Sequence, residues 1–537
     1  MLAAFIAVLT ATKGSTQSVD LGRISFPTSG SAAAQPFFLR GVLLLHSFEY
    51  DEAILAFREA QRIAPGFAMA YWGEALSFSQ PLWYNEDGAK ARDTLARLAP
   101  SAAARALKAP TAREKGFLEA VERLFGVGDL QTRHRAYADR MAALVRDFPD
   151  DDEAAVFYAV ALLGEIPEGA RNAELSLKAG AVASAVMKRN PRHPGAAHYV
   201  LHAYDDGEHN ALALEAARLY AKIAPASSHA LHMPSHAFLP LGLWDEAVAS
   251  DEASFAASVA WVKRTGRTEA QQDFHSLSWL HYEYLQQGRF AKARDAAQVV
   301  ERAVASAGRS ATADGAHHVE SEIGRGYGPM SLRNELASMR ARQVIESRDW
   351  AQMKGRTSFD NVDELFAIGL SSIALGDSAR AASAIDELRK AATTLKDADT
   401  RELLTIMVGE LTGVQEFAKG DRARGLATLA EAAVAERRRP KPIARPYPVK
   451  PATELYAEFL LASGDGAAAL EQFRASLART PRRAASLFGL ANAAAAAGSK
   501  DQAAAAAREF QQMWRLADSG RPELSDVRRI LDTFPKQ

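Results

Sequence analysis

Histidine is concentrated in one short part of this sequence. Seven of the 13 histidines in the 537-residue chain lie between positions 193 and 236. Two pairs in that stretch, His198 with His202 and His232 with His236, have the spacing i, i+4, which places two side chains on one face of an α-helix. The histidines that could act together are His198, His202, His229, His232, His236 and His275.

A pair of imidazoles at i, i+4 is a bidentate unit for a transition-metal ion, because both rings can reach one ion at roughly 2.0–2.1 Å. Two such pairs supply four ligands for one ion, or ligands for two ions. Imidazole ligands suit zinc and copper. Asp205 lies three residues after His202 and can orient a ligand histidine or bind the metal itself. The sequence therefore predicts a zinc or copper site, and a zinc ion with an open position activates water.

Two functions without a metal use the same residues. A groove lined by imidazoles can bind a peptide or another protein, or a small anionic ligand through donors that respond to pH. Sequence signatures of a serine nucleophile elbow, a phosphate-binding loop and a dinucleotide-binding fingerprint are absent in suitable context. Catalytic residues are therefore unassigned, and a metal-dependent hydrolase or oxidase, an interaction scaffold and a small-molecule binder all stay open. His46, His134 and His281 are expected to be structural.

The elements that must position these histidines are helices. Leu39–Pro65 has the pattern of a tetratricopeptide unit, two antiparallel helices in roughly 34 residues with small residues at their close approach and proline at the end. Ala457–Pro481 repeats the pattern near the end of the chain. Glycine recurs at the turns of weaker units, at Gly242, Gly288, Gly376 and Gly420. The prediction is an all-α solenoid of helical hairpins, a right-handed superhelix with a concave groove.

The repeat register gives the two histidine pairs equivalent positions in the first helices of successive units. In tetratricopeptide folds this helix face lines the concave groove, so the pairs are expected to stack there. Pro234 disturbs the pattern, because proline cannot continue a regular helix from Ala230. The helix therefore either begins near Met233 or is kinked at the proline.

Composition shifts divide the chain into six predicted segments. Residues 1–33 are an export signal or a disordered N-terminus, and 306–333 are a long glycine-rich loop. A basic, proline-rich linker occupies 437–451. Tetratricopeptide-like repeats fill the other segments, 34–305 with the histidines, 334–436 and 452–537.

Composition also excludes several function classes. Lysine plus arginine is 64 and aspartate plus glutamate is 65, a net charge of -1, which argues against a nucleic-acid partner. The absence of cysteine excludes disulfides, thiolate metal sites and cysteine nucleophiles. No apolar run is long enough for a membrane span. The apolar stretch Met1–Ala11 lacks a preceding basic region, so exported, periplasmic and cytoplasmic locations all stay open.

Several strings together resemble a family of bacterial tetratricopeptide-repeat proteins. They are AMAYWGEA at Ala68–Ala75, HPGAAHYVLHAYD at His193–Asp205, HALHMPSHAF within Ile223–Val248, DFHSLSWLHYEYLQQGR at Asp273–Arg289 and TPRRAASLFGLANAAAAAG at Thr480–Gly498. The family pattern carries over onto His198, His202, Asp205, His229, His232, Pro234, His236 and His275. Ala237 stands where the family has isoleucine, outside the ligand set. The resemblance implies the repeat fold over most of the chain and assigns no reaction.

Overall fold

The computed structural model describes residues 20–167, 170–310, 329–395, 397–441 and 448–534. Over these ranges the chain is almost entirely α-helical, with one small two-stranded sheet. The prediction of an all-α fold is therefore confirmed. Within the same ranges, none of the helices combines the length and the apolar character that crossing a bilayer requires.

The helices follow one another as antiparallel neighbours in four blocks. The N-terminal block contains α1 (Gln35–His46), α2 (Tyr50–Ile63), α3 (Ala68–Leu76), α4 (Gly88–Leu98), α5 (Ala102–Ala106), α6 (Ala112–Leu124), α7 (Leu130–Asp147), α8 (Asp152–Gly164), α9 (Ala173–Arg189), α10 (Pro194–Ala203) and α11 (Leu214–Ile223). The middle block contains α12 (Ser228–His232), α13 (Ser235–Phe238), α14 (Trp244–Thr265), α15 (Phe274–Gln286), α16 (Phe290–Ser310) and α17 (Pro329–Ser347). The third block contains α18 (Val362–Ala374), α19 (Ser378–Thr394), α20 (Ala398–Ala418) and α21 (Arg422–Arg438). The C-terminal block contains α22 (Ala452–Ala462), α23 (Gly466–Arg479), α24 (Ala484–Ala496), α25 (Lys500–Met513) and α26 (Pro522–Thr533).

A small hairpin interrupts the helices between α3 and α4. Its strands are β1 (Ser79–Gln80) and β2 (Asn85–Glu86), paired antiparallel with Ser79 opposite Glu86. The connection between the strands is a short 3₁₀ turn, Pro81–Trp83. Further 3₁₀ turns lie at Asn210–Ala213, Glu269–Gln271 and Trp350–Met353.

Helices pack closely because small residues face aromatic rings in the predicted register. A Cβ atom added at Gly41 in α1 or at Gly73 in α3 would lie only 2.6 or 2.3 Å from the Phe57 ring in α2. The C-terminal block repeats this contact, since a Cβ at Gly489 would lie 2.2 Å from the Phe473 ring. Both aromatic side chains are fully buried. Recurrence of one contact at both ends of the chain supports the hairpin repeat.

Most hairpin turns contain a glycine with positive φ. The angles are +66° at Gly242, +71° at Gly288, +77° at Gly376, +99° at Gly420, +89° at Gly464 and +75° at Gly498. This left-handed backbone conformation is open to glycine at little cost, and it ends the first helix of each hairpin. In the first hairpin, Phe48 holds the same kind of turn with φ +57°, although it carries a side chain.

The C-terminal block folds back onto the middle block. The indole of Trp244 donates to the Arg482 carbonyl at 2.9 Å, and the indole of Trp514 donates to the Gln286 carbonyl at 2.9 Å. One hydrophobic core joins residues of the two blocks, from Trp244 to Ile530. A repeat pattern predicts stacking between successive hairpins and carries no information about such a distant contact, so the sequence did not predict it.

The structure shortens two of the predicted irregular segments. In the predicted loop at 306–333, α16 continues to Ser310 and α17 begins at Pro329. Glycine and polar residues do not by themselves end a helix, and proline is accepted at the first helical position. In the predicted linker at 437–451, α21 extends to Arg438, and Val449 and Lys450 are buried. Residues 311–328 and 442–447 lie outside the described residues.

Part of the predicted N-terminal segment at 1–33 packs into the core. Phe26 is buried among the rings of Phe38, Trp72 and Phe117. The backbone amide of Ser29 donates to a carboxylate oxygen of Glu114 at 2.7 Å. Residues 20–33 of this segment are therefore ordered, and apolar side chains among them fill gaps between helices. Residues 1–19 lie outside the described residues.

Candidate metal centre

Helix α10 presents the first histidine pair. Pro194 occupies the first turn, and the His193 side chain caps the helix by accepting from the Ala196 amide at 3.3 Å. His198 and His202 follow one helical turn apart, and their Nε2 atoms lie 3.0 Å from each other. The spacing read from the sequence is therefore the spacing on the helix.

Pro234 separates the second pair into two short helices. His232 ends α12 and His236 lies in α13, while Met233 and Pro234 between them keep helical backbone angles. The proline has no amide hydrogen to donate, so the helical hydrogen-bond pattern is interrupted here. The backbone angles at Met233 and Pro234 nevertheless remain helical. The Nε2 atoms of His232 and His236 still lie 3.2 Å apart. The structure therefore has a new helix that begins at Ser235, close to the predicted start near Met233, and the i, i+4 contact is kept across the interruption.

The six predicted histidines form two groups of three. The first histidine group is His198, His202 and His229, and the second histidine group is His232, His236 and His275. Within each group, one nitrogen from every ring lies within 4.8 Å of the others. The Nε2 atoms of His198 and His229 are 2.9 Å apart. All six side chains are buried or half-buried.

Outer hydrogen bonds fix the orientation of three of these rings. His198 Nδ1 donates to the His46 carbonyl oxygen at 2.6 Å. His232 Nδ1 donates to Asp251, and His236 Nδ1 donates to Asp205, each at 2.6 Å. A neutral imidazole carries one hydrogen, so a proton held on Nδ1 leaves a lone pair on Nε2. Asp205 follows α10 in sequence, and its carboxylate lies beside His236 of the next repeat.

Burial keeps His198, His202 and His275 neutral. It lowers the pKa of His198 to about 3 and that of His202 well below its usual range. Burial, together with the neighbouring His232, also lowers the pKa of His275 to about 3. Neutral imidazole is the form that binds metal ions, so these rings are in the binding form across the physiological pH range.

Aromatic rings enclose both groups. Phe48 lies 4.3 Å from the His198 ring and 5.6 Å from each of the His202 and His229 rings. Trp83 in the hairpin packs on Phe48 and is 40% exposed. Trp279 of α15 covers the second group, 4.6 Å from the His236 ring. The left-handed turn at Phe48, where other hairpins have glycine, therefore places an aromatic ring on the first group.

A groove lies against one of these aromatic rings, that of Phe48. Its volume is about 580 Å³. Lining residues that adjoin the two groups in sequence or in space are Phe48, Gln80, Ser227, Ser228 and Asp273. The six histidines are not among the residues that line this groove, so the predicted groove lined by the histidine pairs stays a prediction.

Sequence reasoning missed the carboxylates Asp251 and Glu283. Asp251 lies on α14 and Glu283 on α15, and burial raises the pKa of both, for Glu283 with the help of the Asp251 charge. Neither residue belongs to a histidine-rich string. Only the packing of α14 and α15 against α12 brings Asp251 to His232, so no local signal could have identified it.

A third cluster, His46, Glu153 and His193, is fully buried in the N-terminal block. His46 Nε2 donates to Glu153 at 2.9 Å and His46 Nδ1 accepts from the Tyr199 hydroxyl at 3.1 Å. Burial opposes ionisation, but the imidazoles of His193 and His46 lower the pKa of Glu153 to about 2. This cluster is held by hydrogen bonds to its own carboxylate, and it anchors the carbonyl that orients His198. His46 is therefore connected to the first group through its carbonyl oxygen, and its structural role stays a prediction.

Comparisons with known proteins show limited likeness. No family model and no curated protein match the chain. Two solved structures of the human IFIT1 dimer, one with m7Gppp-AAAA and one with PPP-AAAA, are similar at 12% identity and a TM-score of 0.34. The alignments cover 91% and 90% of this chain and 91% of the IFIT1 chain. A likeness of this size carries no argument about ligands, and the absence of a nucleic-acid partner, which was predicted from charge, stays a prediction.

Proposed function

We propose that this protein binds transition-metal ions at the two histidine groups. The observation that carries the proposal is the convergence of Nε2 atoms at 2.9–3.2 Å while the Nδ1 atoms of His198, His232 and His236 are engaged by fixed oxygen acceptors. In each group, three rings from two or three helices therefore bring one nitrogen each within 4.8 Å of the others.

Lone pairs explain why this arrangement favours a cation. The Nε2 of neutral His198 has a single lone pair and faces two further Nε2 atoms, so hydrogen bonding can satisfy at most one contact fully. A metal ion accepts lone pairs from all three. Two ligands at 2.0–2.1 Å from a tetrahedral ion lie roughly 3.3 Å apart, which is close to the observed separations.

The ligand types favour zinc or copper. Imidazole suits both ions, and the chain has no cysteine to offer thiolate. Three protein nitrogens per group leave a coordination position for water or substrate, the arrangement of catalytic rather than structural zinc sites. Such a position lowers the pKa of bound water and supports hydrolysis, whereas copper there supports oxidation. The proposed activity is accordingly that of a metal-dependent hydrolase or oxidase.

Elemental analysis of purified, untagged protein tests the proposal. We expect bound zinc or copper, and we expect either ion added to metal-free protein to raise the melting temperature, because a ligand that binds the folded state stabilises it by mass action. His202→Ala and His236→Ala should each reduce that shift. His209→Ala is the matched control, since His209 is a partly exposed imidazole held by Asp206 outside both groups. The proposal fails if no metal is retained and neither ion stabilises the protein.

A non-catalytic scaffold is the second candidate, favoured by the 580 Å³ groove beside the histidines. Tetratricopeptide-like arrays bind peptides in concave grooves. Purification from the native host should then recover a partner in a fixed ratio to the chain. Recovery of that partner with the metal removed, and equally with His202→Ala, would favour the scaffold over the metal centre.

A further inference from the structure

We infer that a small cavity beside Phe48 binds a neutral alcohol of about two to three non-hydrogen atoms, whose hydroxyl donates to Nε2 of His134. The inference goes beyond the proposed function, because it involves neither histidine group and no metal ion. Two observations carry it. The first is the size and the apolar wall of the cavity. The second is a buried nitrogen of His134 that has no hydrogen-bond partner among the described residues.

The cavity lies in the N-terminal block, where α7, α8 and the small hairpin contribute to its wall. Its volume is about 30 Å³. Since roughly 10–15 Å³ is enough to hold one water molecule, the cavity has room for about two waters or for a molecule of similar total size. Phe48 and Tyr50 line both this cavity and the 580 Å³ groove, so they form a wall that the two spaces share.

The wall of the cavity is mostly apolar. The hairpin contributes Ser79 and Pro81, and α8 contributes Phe157, Val160 and Ala161. Aspartate, glutamate, lysine and arginine are absent from the lining residues that the structure describes. A charged group in such surroundings is costly unless it is paired. The cavity therefore favours a neutral ligand with an apolar body.

His134 of α7 supplies a hydrogen-bond acceptor in this wall. Its side chain is buried, and Nδ1 donates to the Gly164 carbonyl oxygen at 2.7 Å. A neutral imidazole carries one hydrogen, so Nε2 has a lone pair, and this atom has no hydrogen-bond partner within the part of the chain that the structure describes. Burial lowers the pKa of His134, which keeps Nε2 an acceptor at neutral pH.

The lone pair on Nε2 determines which polar group the ligand must have. A buried acceptor without a donor is unfavourable, so a ligand that donates one hydrogen bond removes this cost. Ethers and ketones have only acceptors. Water has donors, but a buried water usually needs two to four polar partners, and the wall here is mostly apolar. A short alcohol matches both the lone pair of His134 and the apolar wall.

The isomers ethanol and dimethyl ether test the inference in the unmodified, metal-free protein. They contain the same atoms, but only ethanol has an O–H donor. We expect ethanol to shift the ring-nitrogen NMR signal of His134 in protein labelled with ¹⁵N-histidine. The shift should saturate with a dissociation constant in about the millimolar range, because so few atoms supply limited binding energy. One hydrogen bond should make ethanol bind about 5-fold tighter than dimethyl ether.

Two variants separate the hydrogen bond from the space, with binding followed by saturation transfer from protein to ligand. His134→Phe keeps a ring but removes the acceptor, so it assigns the lost signal to His134, and ethanol should lose its advantage over the ether. Ala161→Val keeps the imidazole and fills the cavity, so neither isomer should bind. His209→Phe is the matched control, because His209 is partly exposed and lies outside the cavity wall. It should change neither affinity.

Three results would overturn the inference. Equal affinities for the two isomers in the unmodified protein would show that no donor is recognised. A His134 signal that ethanol does not shift would show that the cavity holds water only. A preference for ethanol that persists in His134→Phe would place the alcohol elsewhere. Because every measurement uses metal-free protein, none of these results bears on the proposed metal binding.

Discussion

Phe48 has a strained backbone conformation, and its side chain packs against the candidate metal centre. It ends α1 with φ +57°, at a turn where glycine is the usual residue. A side chain in this conformation costs roughly 1–2 kcal/mol. The ring compensates by packing on His198 and Trp83. The contacts of the Phe48 side chain therefore offset the backbone strain that a glycine would avoid.

Two substitutions separate these effects. Phe48→Ala loses the ring and keeps the backbone strain, whereas Phe48→Gly loses the ring and relieves the strain. We expect Phe48→Gly to be more stable than Phe48→Ala by about 1 kcal/mol in chemical denaturation. Equal stabilities would show that the left-handed turn is not maintained in solution.

The buried His281 leads us to predict a pH dependence of folding stability that does not involve a metal ion. Burial, with Arg342 nearby, lowers the pKa of His281 to about 3 from its usual 6.5. Between these values the unfolded chain binds a proton that the folded chain does not, so stability falls as pH falls from about 6.5 towards 3. Inside this window one such group contributes about 1.4 kcal/mol per pH unit.

The measurement is the unfolding free energy of metal-free protein at several pH values between 6 and 4. His281→Gln should flatten the slope by up to one proton relative to the unmodified chain. Gly66→Ala, at a position where an added Cβ meets open space and no titratable group is changed, serves as the control and should leave the slope unchanged. A slope unaltered by His281→Gln would contradict the buried, neutral state of this histidine.

Among single residues, the sequence predicted the contacts between near neighbours in the chain. The i, i+4 spacing of His198 and His202 is written in the chain, and helix geometry turns it into a contact. The carboxylate of Asp251 and the carbonyl of His46 reach the same site from other helices. No spacing rule connects them to the histidines, so only the fold could reveal them.

Among the elements, the contact between α10 and α1 controls the first histidine group. Gly195 at the start of α10 lies against His46, and a Cβ added there would be 2.4 Å from His46 Nδ1. The His46 carbonyl in turn orients His198. A change at Gly195 should therefore act on the metal site through the position of a neighbouring helix.

We expect Gly195→Ala to lower the melting temperature and to weaken the binding of Zn²⁺ to metal-free protein. Gly66→Ala is a suitable control, because an added Cβ there has open space around it. Calorimetry and thermal unfolding of both variants check the prediction. A loss of stability without any change in Zn²⁺ binding would mean that the His46 carbonyl does not govern the first group.

Helices were the elements that the sequence predicted best, and their ends were predicted least well. Small and aromatic residues in a fixed register identify hairpins such as α1 and α2, because each contact is made by near neighbours in the chain. The extension of α16 to Ser310 was missed because glycine and polar residues there resemble a loop. Propensity is a weak guide where an exposed face tolerates any residue.

For the whole molecule, the docking of the C-terminal block gives two turn glycines a second role. A Cβ at Gly242 would lie 2.5 Å from the Pro481 carbonyl oxygen, whereas a Cβ at Gly464 would meet open space. Both glycines have positive φ, +66° and +89°. The two turns therefore share a backbone conformation, and they differ in whether the C-terminal block packs against them.

Gly242→Ala should consequently destabilise the protein by at least about 1 kcal/mol more than Gly464→Ala, because it adds a clash with backbone to the same conformational cost. Denaturant unfolding of the two variants measures this difference. Similar values for both would indicate that the C-terminal block does not rest on this turn in solution.

The return of the C-terminal block also bears on how the chain reaches its folded state. The Trp244–Arg482 and Trp514–Gln286 hydrogen bonds join residues 238 and 228 positions apart. Every residue of the two histidine groups precedes position 276, so a growing chain completes the ligand set long before its closing contacts exist. Hairpins form quickly from local contacts, but distant pairings must first overcome loop-closure entropy. The imidazoles can therefore assemble on a partly finished array, and closure by the last hairpins is the slow, late event of folding.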